Sequence, residues 1–467
     1  MPSKNNYSVS RRAFIFIWKK LCKLTMKVFY RSYEVSGEEY IPENTGIILC
    51  VNHVNALIDA AVLQASTDKD IRALARDGLF KNPFLKPILQ MIGTVPIYRR
   101  ETEQSDTSKN QDTFSRCYEL LAENQTLVIF PEGQSHSKSF VQEIKTGAAR
   151  MALGAIQTNG VAPVVLPVGM TFNRQKRART EVLVHYGDPI DLTVPEGMSE
   201  YDAVHLITDR VQQGIEGVTL NTKSWQDLDL VKRLEQFFSL RTSKTEGKIP
   251  EQSHKSRKKL SERFQALQQL IEVQELLKQH EPEKIRSLMS KLRVFERLCQ
   301  ACGISNYHLA IKYQPLLLTL YTLRTLGIVL IGFPIAIWGL INSIIPYSLT
   351  HSVTKKISKK VDQHDTAWVM LGMLFFGVFW GIQCNYIFRN YGFYWSLFYL
   401  SSIILGSALA LNLKGEYQRT IANLKVFFLF MRKQDLRSYL ETKRRELEVE
   451  LAHMVRIAKR LSKANND

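Results

Sequence analysis

The run Asn52-His53-Val54-Asn55-Ala56-Leu57-Ile58-Asp59 places an imidazole and a carboxylate six positions apart, directly after a short apolar stretch. On one regular helix six positions turn through about 600°, so the two side chains would diverge. They meet only if His53 sits on a loop or helix cap and Asp59 just inside the helix. A carboxylate beside the ring fixes the imidazole tautomer and stabilises the imidazolium. Such a pair is a general base without its own nucleophile, so the attacking hydroxyl must come from the substrate. The bland alternative is a structural histidine with a satisfied ring, and the pair alone does not exclude it.

Three further runs carry chemistry or support it. Gly93-Thr94-Val95-Pro96-Ile97-Tyr98-Arg99-Arg100 ends a strand-like stretch on an arginine pair, which suits a phosphate or a solvated surface. In Phe130-Pro131-Glu132-Gly133-Gln134-Ser135-His136-Ser137, Gly133 allows close backbone approach and the polar residues after it can donate to an anion. Lys145, Thr146, Gly147 and Arg150 add cationic and backbone donors at a helix start. Val165-Leu166-Pro167-Val168-Gly169-Met170 reads as a core strand.

The elements that must position these runs alternate. Residues 47–51, 95–99, 127–130, 164–168 and 182–186 read as strands. The residues after His53 to about 66, and 80–91, 107–123 and 144–158, read as helices. Strand–helix alternation predicts an α/β layer structure with a partly parallel sheet, whose ligands bind beyond the carboxyl ends of strands. Asn52-His53 and Pro131-Glu132-Gly133 both fall at such ends.

Together, in this order and spacing, the four runs resemble the glycerolipid acyltransferase superfamily of glycerol-3-phosphate and lysophosphatidate acyltransferases. The resemblance covers roughly residues 36–190. It implies that His53 is the general base and Asp59 its partner, and that Arg99, Glu132 and Gly133 hold the phosphate-bearing glycerol. Asn52, Ser135 and Lys145 join them as expected substrate-binding residues, and Pro167 is placed on the acyl-donor side. It implies an acyl-CoA or acyl-carrier-protein co-substrate and no metal or prosthetic group. Most members have four residues between the His and the Asp, and this chain has five. The form Asn-His-x-Asn-x-x-x-Asp, with Ser135-His136 after Glu-Gly, looks like the branch of fungal glycerol-3-phosphate/dihydroxyacetone-phosphate acyltransferases and their bacterial relatives. That branch often has Asp where this chain has Ser137, so no role is carried over to His136.

The rest of the 467 residues must hold such a site at its substrate. Net charge is +18, which calls for anionic partners such as lipid headgroups or phosphorylated substrates. Nucleic-acid binding would explain the charge but neither the motifs nor the apolar stretches. Residues 325–354, 366–388 and 390–413 contain no Asp, Glu, Lys or Arg, and a helix needs about 20 apolar residues to span a bilayer. The first is long for one span and contains Pro334 and Pro346, so residues 316–348 are expected to form a short helical hairpin or re-entrant pair breaking near Gly332-Phe333-Pro334. That even number of crossings keeps the lysine-rich segment 355–365 and the basic tail on the cytoplasmic side with the catalytic domain.

The remaining segments are helical and charged. Residues 1–35 read as a basic amphipathic helix for the bilayer interface, with an ordinary packed surface helix as the alternative. Residues 36–220 make the α/β acyltransferase domain, 221–312 a charged helical region, 313–413 the transmembrane helices and 414–467 a basic C-terminal helix. The six cysteines suggest a reducing compartment, and Cys299-Gln-Ala-Cys302 is the sole pair with ligand-like spacing. The reading is a membrane-bound O-acyltransferase that moves a fatty acyl group from a thioester to glycerol-3-phosphate or dihydroxyacetone phosphate. A lysophospholipid acceptor is the alternative within enzymes, and an inactive membrane scaffold the alternative outside them.

Overall fold

The structure is a computed structural model describing residues 9–83, 85–98, 110–172, 180–242, 259–305, 308–309, 315–358 and 361–464. It divides into two compact units, one of Met1–Trp225 with Lys355–Val369, the other of Gln226–Thr354 with Met370–Asp467.

Among the described residues of the first unit, seven strands form one sheet: β1 (Ser32–Ser36), β2 (Ile47–Val51), β3 (Ile71–Arg76), β4 (Val95–Ile97), β5 (Thr126–Ile129), β6 (Val164–Phe172) and β7 (Glu181–Tyr186). Their order is β1-β7-β6-β2-β5-β3-β4, with β6 and β7 antiparallel and all other neighbours parallel. Five of these strands were legible as apolar runs. β1 and β3 were not, because Ser-Tyr-Glu-Val-Ser is a half-buried edge and β3 carries Arg72 and Arg76 in its run. β2 is buried throughout and lies between β5 and β6, in register Cys50 to Ile129 and Cys50 to Pro167.

Side chains alternate across the sheet, as the period of a strand requires. Ile48, Cys50, Leu127, Ile129 and Val165 join one apolar cluster with α4 (Asn110–Ala122), α5 (Gly147–Asn159) and α6 (Glu200–Gly217). Ile47, Leu49, Val51, Val128, Leu166 and Val168 join the other with α1 (Val9–Phe29) and α2 (Leu57–Ser66). Burial pushes the thiols of Cys50 and Cys117 up to about 12, so both remain neutral core groups. The short α3 (Leu85–Ile92) precedes β4.

α1 differs from the separate interfacial helix expected for residues 1–35. Cys22, Met26 and Phe29 are core residues of the first unit. Arg11 pairs with Asp70 and Lys23 with Asp68, each at 2.8 Å, and Lys19 donates to the carbonyls of Thr67 and Lys69. Part of its positive charge therefore meets this acidic turn. Phe16, Ile17, Leu24 and Val28 stay exposed on its outer side.

The second unit is helical. α7 (Trp225–Thr242), α8 (Leu260–His280), α9 (Pro282–Ala301) and α13 (Gln434–Ala464) are the charged helices. α8, α9 and α13 pack on one another through residues such as Phe264, Leu267, Leu292, Phe295, Leu451 and Met454. Burial pushes the Cys299 thiol in α9 up to about 11. Among the described residues, three helices are long and apolar enough to cross a membrane, over Leu318–Ile357, Thr366–Tyr391 and Phe393–Leu413.

One expectation fails in this unit. No hairpin forms in 316–348: α10 runs unbroken from Pro315 to Ile357 with Pro334 and Pro346 inside it. In an apolar stretch, breaking a helix frees backbone groups that no water can satisfy, so two interior prolines are tolerated where a break is not. The third apolar span ends at Leu413, while the helix that carries it, α12, continues from Phe393 to Arg432. α11 (Val361–Tyr391) and α12 are joined at Gly392, whose φ of 87° suits glycine.

α10 and α12 pack antiparallel: Tyr321 lies against Thr420, Trp338 against Ser402, and Asn342 against Tyr399. A Cβ on Gly339 would stand 2.1 Å from the Gly406 carbonyl carbon, so the backbones approach as closely as these glycines allow. The hydroxyls of Ser343 and Ser407 meet at 2.8 Å beside this contact.

Candidate active site

The parallel run of β5, β2 and β6 brings three strand ends to one edge of the sheet. His53 leaves β2 after Asn52, Glu132 follows β5 by three residues, and Met170 lies near the end of β6. Asn52 ties two of these ends together. Its Nδ2 donates to the Met170 carbonyl at 3.1 Å, and its Oδ1 accepts the Met170 N–H at 2.7 Å.

His53 and Asp59 do meet. Asp59 Oδ2 lies 2.9 Å from His53 Nδ1, with the carboxylate fully buried and the imidazole 17% exposed. The same oxygen accepts the N–H groups of Val54 at 2.9 Å and Asn55 at 2.8 Å. An acceptor-only carboxylate at Nδ1 assigns the proton to that nitrogen and leaves Nε2 as the base. Asp59 occupies the third helical position of α2, so its carboxylate reaches back over the helix start to the loop. Phe130 stacks on the His53 ring with centroids 4.2 Å apart, fixing the plane of the imidazole.

Glu132 has a different place from the one the resemblance gives it. It is buried, and its Oε1 accepts the backbone N–H of His53 at 2.8 Å. Its Oε2 accepts the Gln142 N–H at 2.7 Å and a bond from His136 Nε2. His136 Nδ1 accepts the Lys138 N–H at 3.1 Å, which assigns the proton to Nε2 and makes that ring a neutral donor. The His136 N–H in turn bonds the His53 carbonyl at 3.1 Å. Glu132 and His136 thus hold the His53 main chain from both sides. The spacing Glu132 to His136 was visible in the sequence, but a side chain gripping a neighbouring loop's backbone leaves no sequence signal.

Gly133 has φ 78°, a conformation that favours glycine, and a Cβ there would meet Lys145 Cε at 2.9 Å. Lys145 is exposed, stands at the start of α5 and has its stem over Gly133. Ser135 is half-buried on the same loop. Pro167 is buried within β6, its carbonyl accepting the Gly187 N–H at 2.9 Å and its ring facing Gly187 and Gly214. Arg99 lies outside the described residues.

One local feature had no sequence signal. Ala56, the residue before α2, has φ 50° and ψ −127° and gives the helix no side-chain cap. An L-residue held there costs on the order of 1–3 kcal/mol and persists only where its surroundings enforce it.

The family profile described as Acyltransferase matches residues 32–171, the span holding the dyad, the Glu132 loop and Lys145. This part of the chain is an acyltransferase domain. Similar curated proteins are named for the same group of reactions. Glycerol-3-phosphate O-acyltransferase 1 of Saccharomyces cerevisiae is 28% identical over 173 residues, covering 35% of this chain and 22% of that protein. The 1-acyl-sn-glycerol-3-phosphate acyltransferase of Borreliella burgdorferi is 24% identical over 212 residues, covering 44% of this chain and 80% of that protein. The chain thus matches about a fifth of the length of the yeast proteins. Among solved structures, the 1-acyl-sn-glycerophosphate acyltransferase of Thermotoga maritima aligns with a TM-score of 0.34 at 20% identity, covering 46% of this chain and 84% of that one. The acyltransferase domain occupies the sheet-bearing unit, and the profile does not extend over the long apolar helices.

Proposed function

We propose that the chain is an integral membrane O-acyltransferase that moves a fatty acyl group from a thioester to a hydroxyl of glycerol-3-phosphate or dihydroxyacetone phosphate. The observation that carries this reading is the His53–Asp59 contact at 2.9 Å with Nε2 left as the basic nitrogen. His53 Nε2 takes the proton of the acceptor hydroxyl as its oxygen bonds to the thioester carbonyl carbon. The carbonyl electron pair moves to oxygen, and Asp59 stabilises the imidazolium. Collapse of this tetrahedral species re-forms the carbonyl and breaks the carbon–sulfur bond. The departing thiolate takes the proton back from His53, giving an ester and a free thiol. Holding both reactants at Nε2 supplies the remaining acceleration by proximity.

Lys145, Gly133, Ser135 and the first N–H groups of α5 are the proposed seat of the acceptor phosphate, with Arg99 as a further cation. Glu132 and Asn52 act there as supports of the His53 loop and the β6 end, and Pro167 lies under the proposed donor side. The donor is acyl-CoA or an acyl-carrier protein, and the residues named here perform the transfer without a prosthetic group. Placement of the acyltransferase domain at the cytoplasmic face no longer follows from an even number of crossings, because α10 is unbroken. The exposed Phe16, Ile17, Leu24 and Val28 of α1 supply an apolar contact with the bilayer surface.

The test is an acyl-transfer assay of the full chain in bilayers against glycerol-3-phosphate, dihydroxyacetone phosphate and lysophosphatidate. Transfer to either of the first two, lowered by about 10²–10⁴-fold in His53→Ala, is the expected result. The match over 80% of the Borreliella enzyme favours lysophosphatidate as the second reading, and exclusive use of that acceptor would establish it. Transfer that survives in His53→Ala at the parent rate overturns the base assignment.

A further inference from the structure

Within the segment Lys355–Val369, Thr366 meets the motif loop. Thr366 Oγ1 accepts the N–H of Ile58 at 3.1 Å and donates to the carbonyl of Asn55 at 2.9 Å. These two groups are the ends of the turn that contains Ala56, and Ile58 N–H also reaches the Asn55 carbonyl at 3.2 Å. The hydroxyl therefore closes the turn from outside and caps α2, whose own N-cap residue cannot.

Two observations show that this position is held. Trp368 lies 5.9 Å from the Phe29 ring, and both Trp368 and Val369 pack against the cluster formed by α1, α2 and the sheet. The Asn55 side chain is fully buried, and neither of its polar atoms has a partner among the described residues. The turn is thus not fixed by its own side chains.

We infer that Thr366 is a positioning residue for the acyl-transfer site: it clamps the Asn55–Ile58 turn so that Asp59 reaches His53. The path is short. Asp59 follows Ile58 in α2, and its Oδ2 must meet His53 Nδ1 and the N–H groups of Val54 and Asn55 at once. A turn relaxed toward ordinary φ shifts the start of α2 and withdraws the carboxylate from the ring. Because Thr366 opens the apolar run Thr366–Tyr391, one residue joins the geometry of the base to the beginning of a candidate membrane span.

This inference rests on the acyltransferase reading, and two measurements on the full chain in bilayers separate their failures. In the assay above, Thr366→Val, which keeps the shape and removes the hydroxyl, should lower kcat by about 10–100-fold and leave both KM values within about twofold. Thr366→Ser should recover most of that rate. Ala56→Gly should recover part of it in the Thr366→Val background, since glycine adopts the turn unaided. Hydrogen exchange of the peptide over residues 53–62 should rise in Thr366→Val and return toward the parent value in Thr366→Ser, whether or not the chain transfers acyl groups. Parent kcat with unchanged exchange in Thr366→Val overturns the clamp, as does a Thr366→Ser loss equal to that of Thr366→Val. Absence of transfer in the parent chain, with the exchange pattern intact, overturns the acyltransferase reading alone.

Discussion

At the residue scale, the proposed site divides into an imidazole with one open nitrogen and groups that hold it. His53 presents Nε2, while Asp59, Phe130, Glu132 and His136 fix its ring and main chain. Glu132→Gln isolates the holding role. The amide oxygen can still accept from one donor, but the amide NH2 would then face donors that now share Oε2. Each donor left unpaired costs about 1–3 kcal/mol. The variant should lose thermal stability and kcat together, with acceptor KM nearly unchanged; a rise in acceptor KM alone would instead make Glu132 a ligand of the phosphate-bearing substrate. From the sequence, His53 and Asp59 could meet only with His53 on a loop or helix cap, and a structural histidine stayed open as the alternative. Glu132, on another strand, could be placed near them but not oriented.

At the element scale, strand order decides which loops meet. β2 lies between β5 and β6 with all three parallel, so the loops after them open on the same edge. β2, β5 and β6 are legible because buried parallel strands are continuous apolar runs. The two membrane-length helices with a packing seam show what hydropathy leaves open. Pro334 and Pro346 suggested a hairpin, yet the close approach of Gly339 and Gly406 needs α10 continuous along α12. Gly406→Leu places a side chain where a Cβ already falls 2.5 Å from the Ile335 carbonyl oxygen. It should lower the melting temperature of the protein in detergent, while Leu330→Ala, at an exposed position of α10, should leave it nearly unchanged. Equal melting temperatures for Gly406→Leu and the parent would refute the seam.

At the scale of the whole molecule, stability carries a pH dependence away from the site. His185 on β7 lies 2.8 Å from Ser36 Oγ on β1, and its burial holds the imidazole below its usual value despite the opposing pull of Glu39 and Asp188. The folded chain therefore takes up that proton at lower pH than the unfolded chain. Its contribution is intact above about pH 6.5 and shrinks as pH falls from there toward the depressed folded value. The melting temperature of the parent should drop more than that of His185→Gln between about pH 7 and pH 5.5; parallel curves would exclude this linkage. No sequence pattern marks His185, since its burial arises from the pairing of β1 with β7 across 149 positions. The sequence by itself determined the alternating α/β domain, the motif runs, the apolar stretches and the six-position spacing of His53 and Asp59, because periodicity, charge and short spacings act locally. Tertiary structure alone decided that Glu132 grips the His53 backbone, that α1 joins the core, that α10 stays unbroken, and that Thr366 caps a turn 308 positions away. Those contacts follow from strand order and chain return, which no local spacing encodes.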